Sequence, residues 1–82
     1  MGSGNYIKSA AVIETNTKIG NCNIIDNGSI IAHDNRIGNG CHIAPGVSLG
    51  SSIAINDFTI IGIGNIVGWG DLFINELEKS KI

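Results

Sequence analysis

The sequence predicts an all-β fold in which short parallel strands coil into a β-helix, and three observations support this prediction. Large apolar residues recur at every sixth position, without interruption, from residue 7 to residue 73. Glycine occurs three residues after several of these apolar residues, at a position where a tight corner needs a positive φ. Isoleucine is the main large apolar residue, and only four of the 82 residues are aromatic. A period of six suits neither a helix, which repeats near 3.6, nor a solvated loop.

Each six-residue unit is predicted to form one short strand and one turn, because six is three strand steps. If three units make one triangular coil, stacked residues are eighteen apart, and twelve units build about four coils of hexapeptide repeats. The inward positions then form three aliphatic ladders. These are Ile7, Ile25, Ile43 and Ile61, then Ile13, Ile31, Leu49 and Val67, and finally Ile19, Ile37, Ile55 and Phe73. The corner glycines expected at positive φ are Gly28, Gly40, Gly46, Gly64 and Gly70.

Three segments follow from this register. Residues 1–6 are predicted to be a flexible lead-in, residues 7–70 the hexapeptide-repeat β-helix, and residues 71–82 a short C-terminal helix that caps the coil. Asp71 is the expected N-cap of that helix, because the apolar period changes immediately after it. Phe73 fits either the twelfth repeat or the helix, so its register stays open.

Composition narrows the classes of function. A single domain of 82 residues buries little surface, so a monomer needs a further source of stability. A net charge of -2 with five Lys plus Arg predicts no nucleic-acid partner and no membrane-surface partner. Two cysteines are too few for a disulfide framework and are expected to be free thiols. Without a recognisable signal peptide or membrane span, the expected location is the cytoplasm.

The outward side chains predict self-association. The residue before each inward position points outward, because side chains alternate along a strand. Sorted by face, these residues are Tyr6, Ile24, His42 and Ile60 on the first, Val12, Ile30, Ser48 and Ile66 on the second, and Lys18, Arg36, Ala54 and Leu72 on the third. Two faces are therefore apolar outside as well as inside. Two different apolar faces on a prism can pack head to tail, and closure by rotation gives a homotrimer.

The segments "IIAHDNRIGNGCHIAPGVSLG" and "FTIIGIGNIV" carry a family resemblance. Over residues 7–68 the chain resembles the left-handed β-helix acyltransferases, and within them the sialic acid and bacillosamine acetyltransferase branch. The left hand of the coil follows from this resemblance alone. The resemblance implies a trimer with acetyl-CoA as co-substrate in the cleft between neighbouring prisms, and a small hydroxyl or amine acceptor such as an amino sugar.

The same resemblance assigns roles to six residues. His33, paired with Asp34, matches the general base of the family. His42 matches a histidine that contacts the thioester end of acetyl-CoA, and backbone amides at Ser51, Gly62 and Ile63 match those that receive the pantetheine and acetyl groups. An imidazole that titrates near neutral pH suits proton abstraction from a hydroxyl or amine, so the chemistry needs no metal.

Departures from the family pattern leave an alternative open. Members of the branch usually carry a preceding nucleotide-binding domain, which this sequence does not contain, and "GSS" at residues 50–52 replaces a Gly-Gly pair. The alternative is a non-catalytic trimeric β-helix without an acceptor site. In that case His33 is a surface-turn residue, and His42 fills an interface stripe with its polar atoms satisfied across the trimer.

Overall fold

The computed structural model describes residues 1–68, which form a three-sided parallel β-helix. Its eleven strands have two residues each. They are β1 (Tyr6–Ile7), β2 (Val12–Ile13), β3 (Lys18–Ile19), β4 (Ile24–Ile25), β5 (Ile30–Ile31), β6 (Arg36–Ile37), β7 (His42–Ile43), β8 (Ser48–Leu49), β9 (Ala54–Ile55), β10 (Ile60–Ile61) and β11 (Ile66–Val67). Three strands per turn give three complete turns and most of a fourth. The predicted all-β solenoid is confirmed.

Every third strand stacks in register to form one face of the prism. Face A contains β1, β4, β7 and β10, face B contains β2, β5, β8 and β11, and face C contains β3, β6 and β9. All pairings are parallel, and partners are eighteen residues apart, as in Ile25 with Ile43. The turns between strands form three edges. The turns that follow strands of face A form the A–B corner, those that follow face B form the B–C corner, and those that follow face C form the C–A corner. This topology confirms the predicted eighteen-residue coil.

The predicted aliphatic ladders form the core. Ile25, Ile31, Ile43 and Ile61 have no exposed surface, and Ile19, Ile37, Leu49, Ile55 and Val67 are also buried. Ile7 is 36% exposed because the first turn has no turn beneath it. A second inward position, two residues before the ladder residue, is also buried in the seven repeats from residue 23 to residue 59. It carries Asn23, Ser29, Asn35, Cys41, Val47, Ile53 and Thr59.

One repeat position has a left-handed backbone in every described turn. Four of the predicted glycines, Gly28, Gly40, Gly46 and Gly64, have φ between 67° and 72°, which confirms the prediction for them. Six non-glycine residues at the same repeat position also have this conformation, which the pattern of glycines did not predict. These are Ala10, Asn16, Cys22, Asp34, Ser52 and Phe58. The corner geometry imposes this conformation whatever the side chain, so the repeat accepts strain at six of its corners.

The outward residues lie on the faces that the sequence predicts. Tyr6, Ile24, His42 and Ile60 are in register on face A, and Val12, Ile30, Ser48 and Ile66 are in register on face B. Face C presents Lys18, Arg36 and Ala54. The apolar members of faces A and B are between 37% and 82% exposed. Two sides of the single chain are therefore covered with apolar side chains.

Further predictions concern the two ends of the chain. Residues 1–6, predicted to be a flexible lead-in, continue the coil: Gly2 N donates to Ile19 O (2.8 Å), Ser3 N donates to Asn21 Oδ1 (2.8 Å), and β1 begins at Tyr6. The flexibility expected of this segment stays a prediction. The capping helix over residues 71–82, the twelfth repeat at Phe73 and the corner glycine Gly70 lie outside the described residues.

Candidate functional site

A histidine–carboxylate pair lies on the B–C corner, in the turn after β5. His33 Nδ1 is 2.8 Å from Asp34 Oδ2, and Asn16 Nδ2, one turn below, donates to Asp34 Oδ1 at 2.9 Å. Asp34 has the left-handed backbone of the corner, with φ 61°. Aspartate tolerates this conformation because its short polar side chain can bond locally. The corner thus places the two side chains of consecutive residues against each other.

The pairing determines which ring nitrogen His33 presents to solvent. An ionised carboxylate only accepts hydrogen bonds, so in the neutral form of His33 the proton is on Nδ1 and the lone pair is on Nε2. The hydrogen bond from His33, and secondly that from Asn16, hold the pKa of Asp34 below its ordinary value. The side chains of His33 and Asp34 are 52% and 47% exposed. This dyad can accept a proton through Nε2 from a group that approaches from outside the prism.

A second histidine–carboxylate pair lies between face A and the A–B corner. His42 Nε2 is 3.1 Å from Asp26 Oδ2, and Lys8 Nζ is 3.5 Å from Asp26 Oδ1. Asn27 N also donates to Asp26 Oδ1 at 2.8 Å. The Asp26 side chain is only 13% exposed. Bonding by the Asn27 amide, and then by His42, holds the pKa of Asp26 below its ordinary value, with a further contribution from Lys8.

The six residues assigned from the resemblance separate into two groups on one chain. His33, Asp34 and Ser51 lie on the B–C corner, with Ser51 one turn above His33. Gly62 and Ile63 lie on the A–B corner, where the turn after β10 begins, and His42 lies on face A beside that corner. Ser51 and Gly62 are half-buried, and Ile63 is 68% exposed. Each histidine has its own carboxylate, and the two pairs are on different edges of the prism.

Three residues of these two pairs were missed by the sequence reasoning: Asp26, which contacts His42, and Lys8 and Asn16, which contact the two carboxylates. The signal was present in the coil length. Asn16 is eighteen residues before Asp34, and Lys8 is eighteen before Asp26, so both are stacked one turn below a carboxylate. Asp26 and His42 are sixteen residues apart, which places a corner residue beside an outward residue of the next turn.

The rest of the described surface offers little else near the histidines. A shallow groove lies on face C, lined by Arg36, Gly38, Ala54, Ile55, Asn56 and Asp57, away from both dyads. Within residues 1–68 no three His, Cys, Asp or Glu side chains are close enough to hold a metal ion.

Cys22 is exposed and Cys41 is buried, and both are free as predicted. Burial raises the pKa of the Cys41 thiol. No helix among residues 1–68 is long and apolar enough to cross a membrane.

Comparison with protein families agrees with this architecture. Residues 16–51 match the family described as bacterial transferase hexapeptide (six repeats), a span that includes His33, Asp34, His42 and Ser51. Comparison with curated proteins and with solved structures found no match. Together the match and the three-sided coil support a hexapeptide-repeat β-helix similar to that of bacterial transferases.

Proposed function

We propose that this protein is an acetyl-CoA-dependent acetyltransferase that acts on a small hydroxyl or amine acceptor, with an amino sugar as the acceptor class to test first. The observation that carries the proposal is the His33–Asp34 dyad, at 2.8 Å, inside the segment that matches the transferase family. With the ring neutral, the dyad directs Nε2 outward as a proton acceptor, which suits general-base catalysis of acyl transfer to a hydroxyl or amine.

In the proposed reaction His33 is the general base. Its Nε2 takes the proton of the acceptor while the acceptor oxygen or nitrogen attacks the thioester carbonyl. Asp34 keeps Nδ1 protonated and stabilises the imidazolium that forms, and Asn16 holds the second oxygen of Asp34. The tetrahedral intermediate then collapses with cleavage of the C–S bond, which releases the acetylated acceptor and CoA. His33 returns its proton to the leaving sulfur or to water.

The remaining assigned residues would hold the co-substrate. His42, Ser51, Gly62 and Ile63 are proposed to contact the pantetheine and acetyl groups, the last three through backbone amides. An N–H donor fixed near the carbonyl oxygen stabilises the developing oxyanion without reorganisation. His33 and His42 lie on different edges of one chain. A site that uses both histidines would therefore take one from each of two neighbouring chains.

The proposed assembly that supplies this geometry is a homotrimer. Faces A and B of a single chain expose apolar side chains over three to four turns, and face C is the polar side. Packing of face A on face B of a neighbour would bury both stripes and close after three chains. The same packing would supply the burial that a domain of 82 residues lacks.

Titration calorimetry with acetyl-CoA, alongside the mass in solution, tests the proposal first. We expect saturable binding at one site per chain in a trimer. His33→Ala should keep both the mass and the binding, and should lower the transfer rate to amino-sugar acceptors by about 100-fold to 10,000-fold. Released CoA should be followed by chromatography, because the exposed Cys22 thiol would react with a thiol reagent.

Two results would contradict parts of the proposal. Unchanged turnover in His33→Ala would show that His33 is not the base. A trimer that binds no acetyl-CoA would favour the non-catalytic β-helix, since the core and interface would then account for the retained repeat. Arg36→Ala is a suitable control, because that side chain is exposed on face C, away from both histidines.

A further inference from the structure

The two histidines bind their carboxylates through different ring nitrogens. His33 uses Nδ1 toward Asp34, whereas His42 uses Nε2 toward Asp26. A neutral imidazole has one donor nitrogen and one acceptor nitrogen, and a carboxylate accepts only. The two rings are therefore held in opposite tautomers. His33 offers the lone pair of Nε2 to a ligand, and His42 offers the lone pair of Nδ1.

Asp26 is held more firmly than Asp34. Its Oδ1 receives the Asn27 amide at 2.8 Å and lies 3.5 Å from Lys8 Nζ, so its Oδ2 is left for His42. Lys8 is itself positioned, because its Nζ lies 5.5 Å from the centre of the Tyr6 ring. With 13% of its side chain exposed, against 47% for Asp34, Asp26 is a nearly buried, charged acceptor.

The contact with Asp26 determines which hydrogen bonds the His42 ring can still make. The only N–H of the neutral ring is already donated to Asp26, so the ring has no donor left for a thioester carbonyl oxygen. It can accept a hydrogen bond at Nδ1. The His42 side chain is 40% exposed in the single chain despite the contact with Asp26, so it can face a ligand held between neighbouring chains.

We propose that Asp26, backed by Lys8, is a positioning residue that fixes His42 with Nε2 protonated, so that Nδ1 accepts a hydrogen bond from an amide N–H of the ligand. The ligand group is the pantetheine amide next to the thioester, and this identification rests on the proposed function. His42 is therefore an anchor for the co-substrate arm. It is not the oxyanion donor, and that role is left to backbone amides.

NMR of the ¹⁵N-labelled full chain tests the positioning without any activity measurement. A hydrogen bond to a carboxylate slows exchange of an imidazole N–H with water. At about pH 8, where an ordinary histidine is neutral, we expect one protected Nε2–H from His42 and one protected Nδ1–H from His33. Asp26→Ala should abolish only the first signal and Asp34→Ala only the second, so each variant is the control for the other.

Acetyl-CoA binding tests the ligand assignment. Addition of acetyl-CoA to the wild-type protein should shift the Nδ1 resonance of His42. Asp26→Ala should weaken binding by about threefold to tenfold, the loss expected for one hydrogen bond, and Lys8→Met should weaken it less. Asp34→Ala should bind as the wild-type protein does.

The outcomes separate this inference from the proposed function. An unprotected His42 Nε2–H in the wild-type protein, or a signal that survives in Asp26→Ala, would overturn the positioning role. Equal acetyl-CoA affinity in wild type and Asp26→Ala would overturn the anchor role while acetyl-CoA binding stands. A protected Nε2–H with no acetyl-CoA binding would support the positioning role and overturn both the ligand named here and the proposed function.

Discussion

Two residues of the candidate site lie at corner positions with a left-handed backbone. Asp34 and Asn16 both occupy the left-handed corner position, one turn apart, with φ of 61° and 62°. Asn and Asp adopt this conformation more readily than other non-glycine residues. The hydrogen bond between them, at 2.9 Å, links the two turns at the base of the candidate dyad. The corner position thus serves the site as well as the coil.

The cost of the left-handed position can be measured on one edge of the prism. Gly28 has φ 69°, and a Cβ added there would have no neighbour within 4 Å, so Gly28→Ala introduces backbone strain alone. We expect it to lower the free energy of unfolding by about 1 kcal/mol. Ala10, one turn below at φ 63°, is the reverse case, and Ala10→Gly should raise stability by a similar amount.

Urea unfolding of the two variants, with unchanged slope against denaturant, would measure both effects. Opposite shifts of the midpoint are expected. Shifts of the same sign, or none in either variant, would show that the corner conformation adapts to the side chain and is not imposed by the coil.

The strand is a weak element in this fold, because each has only two residues and depends on the turns around it. Buried asparagines strengthen these turns. Asn35 Oδ1 accepts from Ile53 N at 2.8 Å, and its Nδ2 donates to Ala32 O at 2.8 Å. Asn23, two corners earlier, likewise accepts from an amide one turn above, Cys41 N, and its Nδ2 donates to Gly38 O. A polar side chain inside the coil therefore connects successive turns.

Removal of such a link should be costly. Asn35 is 1% exposed, so Asn35→Ala would leave the buried Ile53 N–H without its partner, whereas Ala32 O would keep the hydrogen bond from the Thr17 hydroxyl. We expect a loss of about 1–3 kcal/mol in the free energy of unfolding, the cost of one orphaned buried group. Asn27→Ala, at an exposed corner position, should change it by less than about 0.5 kcal/mol. Similar losses in both variants, measured by thermal or urea unfolding, would exclude a special role for the buried amides.

The coil formed by residues 1–68 has one polar side and two apolar sides. Ile24 and Ile60 on face A, and Ile30 and Ile66 on face B, expose more than a third of their surface in the single chain. Lys18 and Arg36 are on face C. A chain of this size gains most from covering the first two faces, since burial of apolar surface is the main favourable term in association.

The proposed trimer should therefore respond to charge according to face. Ile30→Lys, in the middle of face B, should reduce the mass in solution from three chains to one, because the lysine would be buried against a neighbour without a partner. Arg36→Glu, a charge change on face C, should leave the trimer intact. Light scattering across a concentration series would measure both. A trimer that survives Ile30→Lys but dissociates in Arg36→Glu would place the interface on face C.

The sequence by itself determined the inward ladders, the composition of each face and four of the corner glycines. This was possible because a strict six-residue register repeats the same local environment, so one assignment applies to every turn. Only the tertiary structure decided that Ala10, Cys22 and Phe58 share the glycine conformation, since coil closure overrides their local preference. It also decided that His42 binds Asp26 through Nε2, because ring orientation depends on contacts between turns that no local pattern encodes.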